Sequence, residues 1–466
     1  MADCNVISIA GTAPTMRVRP SQFNARTVAN DGTLLLFNTY SGAFTGVPAN
    51  KRAQAEELLH LGGISIQATG LAKYMLDRGF LVPETADELN KMRSLHGHQH
   101  YRSDRLELIL LASEECNFRC VYCYETFPRG TMEPWVRQAV IAMAEQRMKQ
   151  LRYLNVEWFG GEPLLGLEAI REIAPRLKTL SLENGVKFTS NMTTNGYLLT
   201  KRVFEELLGY GVTIYQITLD GDSDGHDCKR MLKDGGHTFQ TIYGNLKSIR
   251  AVAEDFIVNI RVNFDRDNLQ HMDSFLELLK KDFANDARFQ IRFYPVGKWG
   301  GDNDENLKIC GGTEHFSKLA LDRIATSQGL KVESRLSWMK AINGAGVCYA
   351  ARPHNFLIGA NGKIMKCTLV LDKNSENVVG HLRPDGAPDM DLEKLARWVA
   401  PAFEDDAECR KCFYLPTCQG MSCPKRRMVT GQRPCPNEKR KIGPALNSIW
   451  EIKKETGGIR KVGSVF

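Results

Sequence analysis

Leu106-Glu-Leu-Ile-Leu-Leu-Ala112 is almost wholly apolar, and three residues later comes Cys116-Asn-Phe-Arg-Cys120-Val-Tyr-Cys123. A short apolar run bounded by polar residues reads as a buried strand. The C-x3-C-x2-C pattern then puts three thiols on one short loop directly after that strand. Three thiolates can hold three irons of a four-iron cube, and because such clusters take four ligands the last iron is left for an external one. A structural zinc site would want a fourth Cys or His close by, and none follows.

Downstream the chain alternates strand and helix. Strand patterns fall at 106–112, 154–159, 187–194, 213–220, 257–265 and 289–296, with helical patterns at 134–150, 167–180, 201–210, 239–253 and 272–281. Pro134 stands where a first-turn proline is tolerated, and Gly211 where a glycine ends a helix. Six alternating units predict parallel strands wrapped by helices, a full or partial α/β barrel. Barrel chemistry sits at the C-terminal strand ends. Those ends carry Phe159-Gly160-Gly161-Glu162-Pro163, Thr193-Thr194-Asn195-Gly196 and Thr218-Leu219-Asp220-Gly221, with Arg230 shortly after and Arg261-Val-Asn263 on the fifth strand. Paired glycines admit close backbone approach, and a nearby carboxylate suits an ammonium.

The chain has 466 residues, 61 Lys plus Arg against 54 Asp plus Glu, and 43% apolar residues, which excludes a largely disordered or fibrous protein. No run reaches the ~18 apolar residues of a membrane span, and the first nineteen residues lack a secretory apolar core. We therefore expect a cytoplasmic protein without a membrane partner. The short basic runs 425–427 and 439–441 read as solvated faces, so no nucleic-acid partner is expected. Thirteen cysteines are too many for packing and too odd a number to pair fully. In a reducing compartment such clusters bind metal or do redox chemistry.

The cysteine loop, with Tyr122 before its last thiol, and the ordered strand-end motifs resemble the radical S-adenosylmethionine (SAM) superfamily over roughly 105–300. The resemblance implies a partial (β/α)6 barrel in which Cys116, Cys120 and Cys123 hold a [4Fe–4S] cluster. It also implies cofactor contacts at Tyr122, Gly160, Gly161, Glu162, Asn195, Thr218 and Arg230, the glycine–glutamate stretch receiving the methionine amino group and the arginine pairing its carboxylate. The implied reaction is reductive cleavage of SAM to methionine and a 5′-deoxyadenosyl radical that takes hydrogen from substrate, with an electron donor such as a flavodoxin or ferredoxin.

Seven further cysteines, Cys348, Cys367, Cys409, Cys412, Cys418, Cys423 and Cys435, exceed one zinc site. Their order resembles the SPASM domain, with four residues between Cys418 and Cys423 where the family usually has three. By that resemblance two auxiliary [4Fe–4S] clusters are expected, three clusters in all. Cys409, Cys412, Cys418 and Cys435 hold the outer one. Cys348, Cys367 and Cys423 hold the inner one, whose last position falls to Cys310, another side chain or substrate.

Strand, helices and returning strand within 1–104 suit a winged-helix-like α+β module with a linker. The strand around Leu34-Leu35-Leu36 is its candidate docking edge, and His96, His98 and His100 lie in the solvated linker. The expected order is this module, the barrel at 105–300, a bridging region at 301–340, the SPASM domain at 341–440 and a basic tail at 441–466.

SPASM enzymes act mostly on peptides, and the module resembles leader-recognition domains. The expected function is therefore maturation of a ribosomally made precursor peptide with a leader segment, through a thioether, a carbon–carbon cross-link or a related change. The alternatives are an anaerobic sulfatase-maturing enzyme and a non-catalytic metal-binding regulatory protein. The sulfatase-maturing family has an acid directly after the cysteine matching Cys367. Here Thr368 takes that place, and Asp372, the nearest acid onward, is the candidate catalytic carboxylate.

Overall fold

The computed structural model of the protein describes residues 15–60, 63–67, 69–311, 314–332 and 346–455. Cys4 and parts of the expected bridging region and basic tail lie outside them. Two compact units emerge, one from 1–101, 335–351 and 400–466, the other from 102–334 and 352–399.

In the first unit, Thr15–Pro20 is flanked by Ile64–Gln67 and Leu81–Pro83 in an antiparallel sheet. Asn24–Val28, Leu34–Asn38 and Phe44–Val47 form a three-stranded meander. The expected docking strand is thus the centre of that meander. Leu35 pairs with Thr27 on one side and Gly46 on the other and is fully buried, so it offers no free edge.

The linker carries a helix, Glu88–His100, started by Asp87, whose side chain accepts from Asn90 N at 2.9 Å, and it is packed rather than solvated. His96 and His100, one turn apart, are buried with their rings stacked at 4.6 Å. The expected tail is likewise packed: helix Ile442–Glu455 lays Leu446, Ile449 and Trp450 onto Ala25, Leu35 and Phe37. A Cβ at Gly46 would sit 2.3 Å from the Trp450 ring, so this helix dictates a glycine in the meander. Phe23, Met92, Phe403 and Leu415 form a second shared core. N-terminal and C-terminal segments fold together because they share these apolar side chains.

The second unit is built on six parallel strands, β1 (Arg105–Ser113), β2 (Tyr153–Gly160), β3 (Lys187–Thr194), β4 (Val212–Thr218), β5 (Ile257–Phe264) and β6 (Phe289–Pro295), paired in that order. These are the six strands expected from the sequence, and the architecture is the partial barrel. From Leu108 to Ser113 β1 is buried on both faces, whereas on β2 Leu154, Val156 and Trp158 alternate with half-buried residues. One face of each strand meets the helices and the other lines the barrel. Helix Pro134–Arg147 begins on its proline, and Gly211, at φ +89°, follows the helix Lys201–Gly209.

The strands beyond β1 on the side opposite β2 were not foreseen. β7 (Asn355–Ile358) pairs parallel to β1 on the side opposite β2, and antiparallel strands at Lys363–Met365, Val378–Leu382 and Pro388–Met390 extend the sheet. Residues 352–399, expected to belong to the cysteine-rich domain, therefore continue the barrel sheet.

Candidate active site

The loop after β1 carries Cys116, Cys120 and Cys123. Cys123 N closes a turn on Cys120 O at 3.0 Å. Phe118–Cys120 forms a two-stranded ribbon with Arg230–Leu232, which sets Arg230 directly opposite Cys120. A cavity at the C-terminal ends of β1 to β6 is lined by the three cysteines together with Tyr122, Gly160, Gly161, Asn195, Thr218 and Arg230, and by Arg261, Asn263 and Trp299. Twelve residues separated by as much as 183 positions thereby share one wall, and of the expected cofactor contacts only Glu162 does not line it.

The glycines answer to the loop itself. A Cβ at Gly160 would lie 2.1 Å from Ser113 O, and one at Gly161 would lie 2.6 Å from Glu115 O and 3.0 Å from Cys116 Cβ. Any side chain there would push the end of β2 off the cysteine loop. Glu162 is fully buried and accepts from Leu164 N at 3.0 Å, Thr194 Oγ1 at 2.7 Å and Asn195 N at 2.7 Å. Burial raises its pKa even against these donors. Its carboxylate ties the end of β2 to the end of β3, where the sequence suggested a ligand for an ammonium. Asn195 in turn donates to Asn117 at 2.8 Å and reaches Cys116 Sγ at 3.9 Å.

The Tyr122 hydroxyl is a hub that sequence reading missed. It donates to Asp220 and accepts from Arg230 Nη1 at 2.8 Å and Asn263 Nδ2 at 3.1 Å. Asp220, fully buried, also accepts from Asn263 N at 2.9 Å. The signal was available in the Asp220 and Asn263 motifs, but nothing in them told which groups meet. Burial opposes the charge of Arg230, and Cys120, Tyr122 and Asp220 more than offset it. Arg230 Nε is buried and meets no acceptor among the described residues.

That unpartnered donor fits an incoming carboxylate. The three thiols fit a metal cluster: burial raises their pKa, Cys123 to about 12, so they ionise only with compensation such as iron supplies. Among the described residues no three Cys, His, Asp or Glu close on a single-ion position. Glu125, on the cavity wall, is pushed up to about 7 by burial and by Glu114.

Asp372 is held differently from what catalysis by a free carboxylate would need. It accepts from Lys363 at 3.0 Å and Arg129 at 2.8 Å, and Arg129 also pairs with Glu114 at 2.5 Å. Burial works against its charge, yet the two cations hold its pKa below the usual carboxylate range. Cys367 is buried in a turn bound by Asn377, which accepts from Cys367 N at 2.8 Å and donates to Cys367 O at 2.9 Å. Cys310 is buried and Cys228 exposed.

In the first unit the outer group comes together. The Cys418 thiol is pushed up to about 12, first by burial and then by Cys412, Cys409 and Cys435 around it. Cys348 and Cys423 are half-buried in the same unit, Cys348 N donating to Met421 O at 3.0 Å.

Comparison with known proteins agrees with this geometry. Residues 110–279 match the family model described as "Radical SAM superfamily". The chain is 24% identical over 202 residues to the radical SAM cyclopropyl synthase TigE of Paramaledivibacter caminithermalis, 38% of this chain and 40% of that protein. It is 30% identical over 192 residues to the GTP 3′,8-cyclase of Lactiplantibacillus plantarum, 40% of this chain and 54% of that protein. It thus spans about half the length of these two relatives or less. With a cysteine-type anaerobic sulfatase-maturating enzyme of Clostridium novyi it shares 28% identity over 341 residues, 67% of this chain and 86% of that protein. The fold is that of native anSMEcpe with bound AdoMet and Kp18Cys peptide, at TM-score 0.59 and 18% identity over 76% of this chain and 100% of that one. No described helix is long and apolar enough to cross a membrane.

Proposed function

We propose that this enzyme, whose residues 110–279 are a radical SAM domain, matures a ribosomally made peptide. The observation that carries the reading is the cavity wall on which Cys116, Cys120 and Cys123 face Arg230, whose buried Nε lacks an acceptor among the described residues. A [4Fe–4S] cluster and SAM held there would supply radical abstraction of hydrogen from a substrate.

The chain's own residues bind, orient and exclude water. Cys116, Cys120 and Cys123 would hold three irons. Arg230, steadied by Tyr122, would pair the cofactor carboxylate, and Asn195 and Thr218 would offer it polar groups. Phe118, Phe127, Phe159 and Trp299 give the wall apolar patches that would help shield a reactive species from water.

A peptide substrate is supported by the peptide bound in the structural relative, and an outer auxiliary cluster by the convergence around Cys418. Three clusters in all, an external one-electron donor and a leader-bearing precursor complete the reading. A leader strand would need an outer strand, such as Ile64–Gln67, which pairs only with Thr15–Val18 among the described residues. The sulfatase-maturing alternative has in its favour the 86% of the Clostridium novyi enzyme that the match covers. The locked state of Asp372 weighs against it.

The test is anaerobic incubation of iron-reconstituted enzyme with reductant, SAM and candidate peptides. We expect 5′-deoxyadenosine, and a cross-linked product two hydrogens lighter from a short precursor peptide. Formylglycine from a cysteine-containing sulfatase peptide would favour the alternative, and absence of 5′-deoxyadenosine would overturn both.

A further inference from the structure

The basic runs that sequence reading left as solvated faces come back to the outer cysteine group. Lys439 Nζ donates to Cys435 Sγ at 3.5 Å. The same ammonium hydrogen-bonds Cys412, and these two sulfurs raise its pKa although burial works against its charge. Arg427 Nη2 donates to Cys409 Sγ at 3.8 Å, its Nη1 meanwhile pairing with Asp406 at 3.3 Å. Tyr414 N donates to Cys412 Sγ at 3.4 Å. Three of the four sulfurs therefore carry an N–H donor, and two of those donors are cations. Beside them a recess lined by Cys435, Lys439, Arg433 and Arg440 is open to solvent.

We propose that Lys439 and Arg427 are positioning residues that raise the reduction potential of an iron–sulfur cluster held by Cys409, Cys412, Cys418 and Cys435. This rests on the reading that those four cysteines hold a cluster. The physical reason is charge. Reduction adds one electron to an already anionic cluster and thiolate set without changing its ligands, so a fixed cation at the sulfurs stabilises the reduced form more than the oxidised one. Hydrogen bonds to the sulfurs and solvent exposure act in the same sense. Neither cation is replaceable by water at equal effect, because both are partly buried where screening is weak.

The experiment is a redox titration of the anaerobically reconstituted full chain, followed by electron paramagnetic resonance. The outer cluster's signal is identified as the one lost in Cys435→Ala. In Lys439→Met the oxidised-to-reduced ratio of that cluster, read at the wild-type midpoint, should rise about tenfold, equivalent to about 59 mV for one electron. Lys439→Arg should restore the wild-type value, and Arg427→Met should shift it in the same direction, while the other clusters stay where they were. An unmoved midpoint in Lys439→Met with full iron overturns the proposal. Loss of that iron in Lys439→Met and Lys439→Arg alike also overturns it, making the residue a structural one. A distinct result marks failure of the underlying reading: Cys418→Ala with Cys435→Ala keeping wild-type iron would show that no cluster sits there.

Discussion

The Tyr122 hydroxyl accepts a hydrogen bond from Arg230 Nη1 at 2.8 Å. A phenol has one proton to give and two lone pairs to fill, and here all are used, toward Asp220, Arg230 and Asn263. The aromatic residue before the last motif cysteine thus ties the cysteine loop to the ends of β4 and β5. It also fixes Arg230, which lines the cavity beside the three cysteines.

Tyr122→Phe keeps the ring and removes the hub. Asp220 then loses a donor and Arg230 an acceptor, both buried, at a cost of about 1–3 kcal/mol. We expect SAM affinity, measured by equilibrium binding to the reconstituted enzyme, to fall about tenfold while iron content stays constant. Unchanged affinity would mean that Arg230 keeps its place without the phenol.

Arg230→Ala should weaken SAM binding about ten- to a hundredfold, as expected for loss of a charge-assisted pair. Arg230→Lys should lie between, because an ammonium is a point charge and cannot reproduce a two-point guanidinium contact. Equal affinity for wild type and Arg230→Ala would remove the arginine from the site.

Replacing Cys116, Cys120 and Cys123 together by Ala should remove about a third of the iron, since three cubes carry roughly twelve irons. It should abolish formation of 5′-deoxyadenosine. Cleavage retained in that variant would end the radical reading, and a loss of most of the iron would mean that the other cysteines hold none.

Much of the barrel was legible because its strands are buried-type runs separated by helices with marked ends. β7 was not, since Asn355–Ile358 is only four residues long and its pairing with β1 joins positions some 250 apart. Nor was Phe44–Val47, whose glycine is demanded by Trp450, a contact that no local pattern announces. Three alternating histidines would all share a face only on an extended segment. On a helix His96 and His100 share one and His98 falls outside it. At the site, residue types and order were readable, but not which groups bind each other. Glu162 is taken up by strand-end amides, Asp372 by two cations, and Asp220 shows its part only through Tyr122.

The central place of Leu35 changes what a proline there should do. Pairing on both sides means that Leu35→Pro removes a ladder donor from a middle strand and disturbs a buried core position. The expected outcome is a drop in thermal stability of the whole first unit, rather than selective loss of peptide binding. A variant with wild-type melting temperature but no peptide affinity would restore the docking role to this strand.

Glu157 should make stability depend on pH. It lies on the barrel face of β2 with Asn155 and Phe159, and burial, followed by the nearby Glu107, pushes it up to about 7. An unfolded glutamate titrates near 4.3. Below that pH the group is protonated in both states and costs nothing. As pH rises toward 7 the unfolded chain ionises freely while the folded one resists, so the folded state loses stability through this window and stays lower above it. Glu157→Gln removes the penalty. Its stability should match wild type at pH 4 and exceed it at pH 8 by up to about 4 kcal/mol, read as a rise in anaerobic melting temperature that grows with pH. A constant difference between the two proteins across that range would mean that the carboxyl finds water or a partner when it ionises.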